Sequence, residues 1–134
     1  MASLFLIGRV VFGGFFLLNG FNLIVDHATA AQYAAAKGVP VPGLAVVVAA
    51  ALILFGGLSI VLGWRPDLGI AAIVLFLAAV TFPMHNFWDL SGAARVNEMV
   101  NFTKNIALAG ATIMLVAIPQ PWRYSLETRR RIFA

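Results

Sequence analysis

The sequence predicts an all-α protein, a bundle of four transmembrane helices with a short interfacial helix in the first outer loop. Three observations predict it. Four stretches are long and apolar enough to cross a hydrocarbon core, which takes ~20 residues. Of 134 residues, 62% are hydrophobic and only 10% charged, where a soluble domain has ~25% charged. The charged residues also sit mostly at the ends of the apolar runs. Nine basic and five acidic residues cannot supply a polar surface, so the apolar surface must face lipid or other protein. The net charge of +4 does not indicate a nucleic-acid partner, because the basic residues are sparse and placed as topology determinants.

The first span runs from about Leu4 to Val25. Met1 to Phe5 carry no positive side chain and Arg9 interrupts the apolar run, so a retained helix is expected rather than a cleaved signal. The first loop is Ala-rich from Ala28 to Lys37, with Asp26 as its expected N-cap and Gly38 after it, which predicts the short helix with Tyr33 at the interface. Pro40, Pro42 and Gly43 end the loop. The second span, Leu44–Leu62, has no charge, and its one side-chain hydroxyl is Ser59. Gly63, Trp64, Arg65, Pro66 and Asp67 form a tight turn, making spans two and three antiparallel neighbours. The third span covers Leu68–Phe87, with Pro83 expected to kink it and free the carbonyl of Ala79. Ser91, Gly92 and the polar residues through Asn97 read as the third loop. The fourth span covers Met99–Ile118, is stopped by Pro119 and Pro121, and leaves 119–134 as a tail of this single integral membrane domain.

Positive charge sets orientation. Arg123, Arg129, Arg130 and Arg131 follow the fourth span, Arg65 lies in the second loop and Arg9 near the start of the first span; the other side has Lys37 and Arg95 in its loops. The expected topology places both termini in the cytoplasm and the chain in a bacterial inner membrane. Arg9 is then expected to snorkel to the inner head groups. Trp64 and Trp122 mark the inner interface and Trp88 the outer one. Gly13, Gly14, Gly20, Gly56 and Gly57 are expected to let helices approach closely.

Polar groups in lipid are costly, so their placement is informative. Asn19, Asn22 and Asp26 fall on one face of the first span. Thr81, His85 and Asp89 fall on one face of the third. Asn97, Asn101, Lys104, Asn105 and Thr112 form a stripe on the fourth. The candidate ligand-binding or polar-cluster residues are therefore Asn19, Asn22, Asp26, His85, Asn101, Lys104 and Asn105, meeting in the outer half. Lys104 lies about 9 Å inside the helix end marked by Glu98, at ~1.5 Å per residue. It must snorkel, pair with Asp26, Asp89 or an Asn carbonyl, or bind a polar head group. His85 and His27 are the two histidines; a haem clamp between them is a low expectation, since haem ligands sit within spans. Every acidic residue reads as lying at or beyond a helix end. There is no cysteine, which removes thiol and Cys-ligated cluster chemistry. No catalytic set and no dedicated metal site is expected, so the chain is not expected to be an enzyme on its own.

Several segments in order carry a resemblance: Gly8-Arg9, Asn19-Gly20, Gly38-Val39-Pro40, Phe55-Gly56-Gly57, His85-Asn86-Phe87-Trp88, Phe102-Thr103-Lys104-Asn105 with Gly110, and Tyr124-Ser125-Leu126-Glu127. Together they make the chain resemble the DoxX family of small four-span membrane proteins. The resemblance implies an accessory membrane subunit, since some relatives are associated with terminal oxidases or thiosulfate:quinone oxidoreduction. It implies a quinone as one candidate ligand and no haem. Many relatives carry a Glu in the second span where this chain has Ile53 or Leu54, so a proton-handling role requiring that acid is not expected. The functional expectation is an accessory subunit of a larger redox or respiratory membrane complex, with the lipid bilayer and other membrane subunits as partners. A stand-alone quinone-linked oxidoreductase component, a homo-oligomer and a small transporter are the alternatives.

Overall fold

The computed structural model describes residues 1–127, and Arg129, Arg130 and Arg131 lie outside them. Among the described residues the structure is helical throughout: α1 (Ala2–Val25), α2 (His27–Ala36), α3 (Pro42–Leu62), α4 (Pro66–Met84) and α5 (Gly92–Met114), with 3-10 turns at Phe87–Asp89 and Leu115–Ala117. Four of these elements are long and apolar enough to cross a membrane. The fifth, α2, is the short helix of the first loop.

Local chemistry sets the helix ends. Pro42 and Pro66 occupy the first turns of α3 and α4, where a missing N–H costs nothing. Gly63 closes α3 in the left-handed conformation at φ 61°, the region that favours glycine. Asp67 lies in the first turn of α4, on the positive end of the helix dipole. Pro83 sits in the last turn of α4 and cannot donate to the carbonyl of Ala79. The helix ends just beyond, with the His85 N–H on the Thr81 carbonyl at 3.2 Å. Asp26 is the N-cap of α2, but its side chain makes no capping bond.

One segment departs from expectation. Residues 92–97 are not a loop but the first turns of α5, all exposed. Their polar side chains reflect exposure, while the backbone satisfies itself by continuing the helix.

The helices pack in series. α1 lies along α3, α3 along α4 and α4 along α5, while α2 rests mainly on α3. α1 and α5, at the two ends of the series, do not pack closely on each other. Between apolar helices in lipid, association rests on close van der Waals fit rather than on expulsion of water. Glycine supplies that fit on both sides of α3. A Cβ on Gly13 would lie 2.7 Å from the Gly57 carbonyl oxygen, and one on Gly57 would lie 2.7 Å from the Gly13 oxygen. On the opposite face, a Cβ on Gly56 would lie 2.9 Å from the Gly69 oxygen. Gly20 is pressed against Leu54 in the same way, whereas nothing lies within 4 Å of a Cβ on Gly14. The grouping of Gly14 with the contact glycines is thus corrected. Phe16, Ile53, Ile60, Ile70, Ile73, Leu77 and Trp122 form the buried core.

At the end of the bundle carrying the α3–α4 turn, the chain after α5 folds back underneath. Trp122 is 2% exposed and meets the Phe5 ring edge-on at 5.3 Å. The Arg9 guanidinium lies 5.8 Å from the Trp122 ring centroid. It donates from Nη2 to the Tyr124 carbonyl at 2.7 Å and from Nη1 to the Arg123 carbonyl at 3.4 Å. The backbone N–H of Arg65 donates to Glu127 at 2.9 Å. Arg9 is 2% exposed, so the snorkelling reading gives way to an internal cation clamped by backbone carbonyls.

The glycine contacts yield a paired test. Gly13→Val should destabilise by about 1–3 kcal/mol through overpacking. Gly14→Ala, one position along the same helix, should be neutral or stabilising by up to ~1 kcal/mol through helix propensity. Thermal unfolding in detergent followed by circular dichroism separates them; equal midpoints would show that α1 does not depend on its approach to α3.

Candidate functional site

The gap between α1 and α5 widens, at the α2 end, into a cavity of about 1050 Å³. Its body is apolar, with Phe16, Ile53 and Leu77 among its walls, and it reaches no deeper than Phe15 on α1, Ile53 on α3, Phe76 on α4 and Leu108 on α5. Residues of α2 cover it. α1 and α5 form facing walls without packing on one another, so the cavity opens between two helices whose outer surfaces are apolar.

Six of the seven sequence-predicted residues line this one cavity: Asn19, Asn22, Asp26, His85, Lys104 and Asn105. Asn101 does not; it accepts the Lys104 ammonium on Oδ1 at 3.1 Å within its own helix. That contact is the partner of Lys104, which makes no ion pair with Asp26 or Asp89 among the described residues. Asn19 donates to the Phe15 carbonyl at 2.7 Å. Asn105 is 8% exposed, and its amide has no hydrogen-bond partner among the described residues. His27 does not line the cavity; its Nε2 lies 3.0 Å from the Gly43 carbonyl oxygen.

At the rim, the organising group is Glu98. Its carboxylate takes the Tyr33 hydroxyl on Oε1 at 2.8 Å and His85 Nδ1 on Oε2 at 2.7 Å. The Lys37 ammonium lies 3.8 Å from Oε1. Lys37 also donates to Asn86 Oδ1 at 2.7 Å and stands over the Tyr33 ring at 5.5 Å. Glu98 thereby ties α2 to the end of α4 and to α5. It is the seventh residue of α5 and its side chain is 13% exposed, which corrects the reading that every acid sits at or beyond a helix end. Sequence reasoning began the α5 stripe at Asn97, one residue early. Glu98, Asn101 and Asn105, at i, i+3 and i+7, share the face that carries this contact. The signal was the carboxylate itself, two turns before the buried amide.

No group of three or more histidine or acidic side chains poised for a metal occurs among the described residues. The arrangement offers an apolar volume with hydrogen-bonding groups of both kinds at one end.

The fold and cavity together define a multi-pass membrane protein with a one-ended internal site. The chain belongs to the DoxX family, whose profile matches residues 4–86, that is, α1 through the end of α4. It is 35% identical over 129 residues, 94% of this chain and 89% of the relative, to "Inner membrane protein YphA" of Escherichia coli (strain K12). It is thus placed as a multi-pass inner-membrane protein. No solved structure matches it significantly.

The Tyr33–Glu98 contact makes stability depend on alkaline pH. Burial, then the hydrogen bond to Glu98 and its negative charge, push the Tyr33 phenol from 10 up to about 12. The unfolded phenol ionises near its ordinary value while the folded one stays protonated. The contribution is therefore complete below the unfolded value and lost as pH rises from 10 to about 12. Melting temperatures of the wild type should fall faster across that window than those of Tyr33→Phe, which cannot ionise. Parallel curves would show that Tyr33 does not hold α2 through its hydroxyl.

Proposed function

We propose that this protein is a non-catalytic accessory subunit of a larger redox or respiratory complex in the inner membrane, with both termini cytoplasmic. Its α2-end cavity holds the head group of a membrane-soluble amphiphile, a quinone or a lipid. The observation that supports this most directly is the cavity itself, an apolar volume of about 1050 Å³ rimmed by Asn19, Asn22, Asp26, His85, Lys104 and Asn105. Its opening between apolar helices suits a ligand arriving from the bilayer. The packed Trp122 segment occupies the other end of the bundle, so the cavity serves holding better than passage, which favours a subunit over a transporter. The association of some DoxX relatives with terminal oxidases or thiosulfate:quinone oxidoreduction supports the same reading.

Two measurements test it. Gentle extraction from native membranes, followed by mass spectrometry of what co-migrates on a native gel, should yield stoichiometric oxidase or dehydrogenase subunits. Migration alone, as a monomer or homo-oligomer carrying quinone, would replace the accessory role with a stand-alone quinone-linked component. Lys104→Met should leave the melting temperature nearly unchanged, within the ~0.5 kcal/mol typical of exposed sites, because Lys104 is exposed and its one hydrogen bond among the described residues is to Asn101 in its own helix. It should reduce the quinone or lipid retained on purification. Unfolding of this variant would assign Lys104 to structure instead.

A further inference from the structure

We propose that the cavity recognises an amphiphile bearing a hydroxyl group, and that the Nε2 nitrogen of His85 accepts the hydrogen bond from that hydroxyl. The inference rests on the amphiphile-binding reading of the cavity and narrows its ligand to a chemical class.

Glu98 organises the rim. Its carboxylate is met by three groups: the Tyr33 hydroxyl at 2.8 Å, the Lys37 ammonium at 3.8 Å and His85 Nδ1 at 2.7 Å. The imidazole can meet Glu98 as a neutral ring that donates from Nδ1. A hydrogen bond of this kind on one ring nitrogen fixes the tautomer and leaves the other as a lone-pair acceptor. In that form His85 presents Nε2 as an acceptor. That nitrogen has no hydrogen-bond partner among the described residues, on a ring that lines the cavity with its side chain 19% exposed.

A second observation also points to a ligand. Asn105 is 8% exposed, lines the same cavity and has no partner for its amide among the described residues. Seven residues separate it from Glu98 on α5, placing it about 10 Å further along the helix at ~1.5 Å per residue. Two unanswered polar groups at different depths, with apolar walls between and around them, fit an elongated amphiphile. Its hydroxyl meets His85, and a second polar atom reaches Asn105. Glu98 does not itself touch the ligand; it acts through the imidazole as a positioning residue.

A matched pair of probes tests this. 4-Nonylphenol and its methyl ether, 4-nonylanisole, share an apolar tail, but only the phenol donates a hydrogen bond. Both are titrated calorimetrically into nanodiscs containing the full chain and into empty nanodiscs, so that lipid partitioning is subtracted. The phenol should bind the protein about tenfold more tightly than the ether, the scale of one hydrogen bond of ~1.4 kcal/mol. His85→Phe should bring that ratio to near one while the ether still binds. Glu98→Gln should lower the ratio by loosening the tautomer, a change that a purely structural role would not produce when ether affinity is retained. Asn105→Leu, checked by an unchanged melting temperature, should weaken neither probe, since neither carries a second polar atom to meet that amide, and should keep the ratio. Equal binding of phenol and ether to the wild type would overturn the role of His85 while leaving an amphiphile site. Stronger binding of the ether would overturn it by making His85 a donor. Binding of neither probe would remove the amphiphile reading itself.

Discussion

The fold depends on how closely α3 is approached from two sides. Gly56 and Gly57 are adjacent in sequence but face different neighbours, Gly69 of α4 and Gly13 of α1. In lipid, where apolar side chains gain little by leaving their surroundings, such contact is the main cohesive force available. It draws α1, α3 and α4 into a tight series. No equivalent glycine contact joins α1 to α5. A Cβ on Gly110 of α5, like one on Gly14, would meet nothing within 4 Å. The bundle is thus firmly joined along three helices and separated along its last seam, and the separation becomes the cavity. Site and scaffold have a common origin in where the small residues fall.

The rim is held differently. Tyr33 and Lys37, from α2 and its C-cap, and His85, from the end of α4, converge on one carboxylate of α5. Each donor lessens the cost of keeping Glu98 in a partly buried place, and Glu98 in turn fixes three groups that would otherwise move independently. Such a hub keeps α2 over the cavity without the shape complementarity that α2, rich in alanine, lacks. It also explains how a site of few polar groups is oriented: most of the ordering lies behind the cavity wall rather than in it.

Much of this was legible from the residues. Uninterrupted apolar stretches marked the long helices, and the Gly63–Asp67 turn made α3 and α4 antiparallel. The alanines of the first loop gave α2. The polar stripes of α1, α4 and α5 gathered Asn19, Asn22, Asp26, His85, Lys104 and Asn105 in one half of the bundle, and the structure puts all six on one cavity. What was not legible depends on rotation and on distance along the chain. Asn97 and Glu98 are neighbours differing by ~100° around a helix, and periodicity alone could not choose between them. Residues 92–97 read as loop because composition records the surroundings of side chains, whereas the helix is made by the backbone. Arg9 read as a surface cation because its acceptors, the carbonyls of Arg123 and Tyr124, lie more than a hundred positions away. No local pattern announces a partner of that kind.

That last contact bears on how the protein is made. Arg9 belongs to α1, yet the carbonyls that receive it are synthesised more than a hundred residues later. Until residues 122–125 exist, the guanidinium must rely on water or lipid head groups, and α1 can sit no deeper than those allow. Once the segment arrives, the cation exchanges those companions for fixed carbonyls and an aromatic face. The bundle therefore matures in two stages. Its helices enter the bilayer in order of synthesis, and the end near Arg9 acquires its final packing only once residues 122–125 have been made.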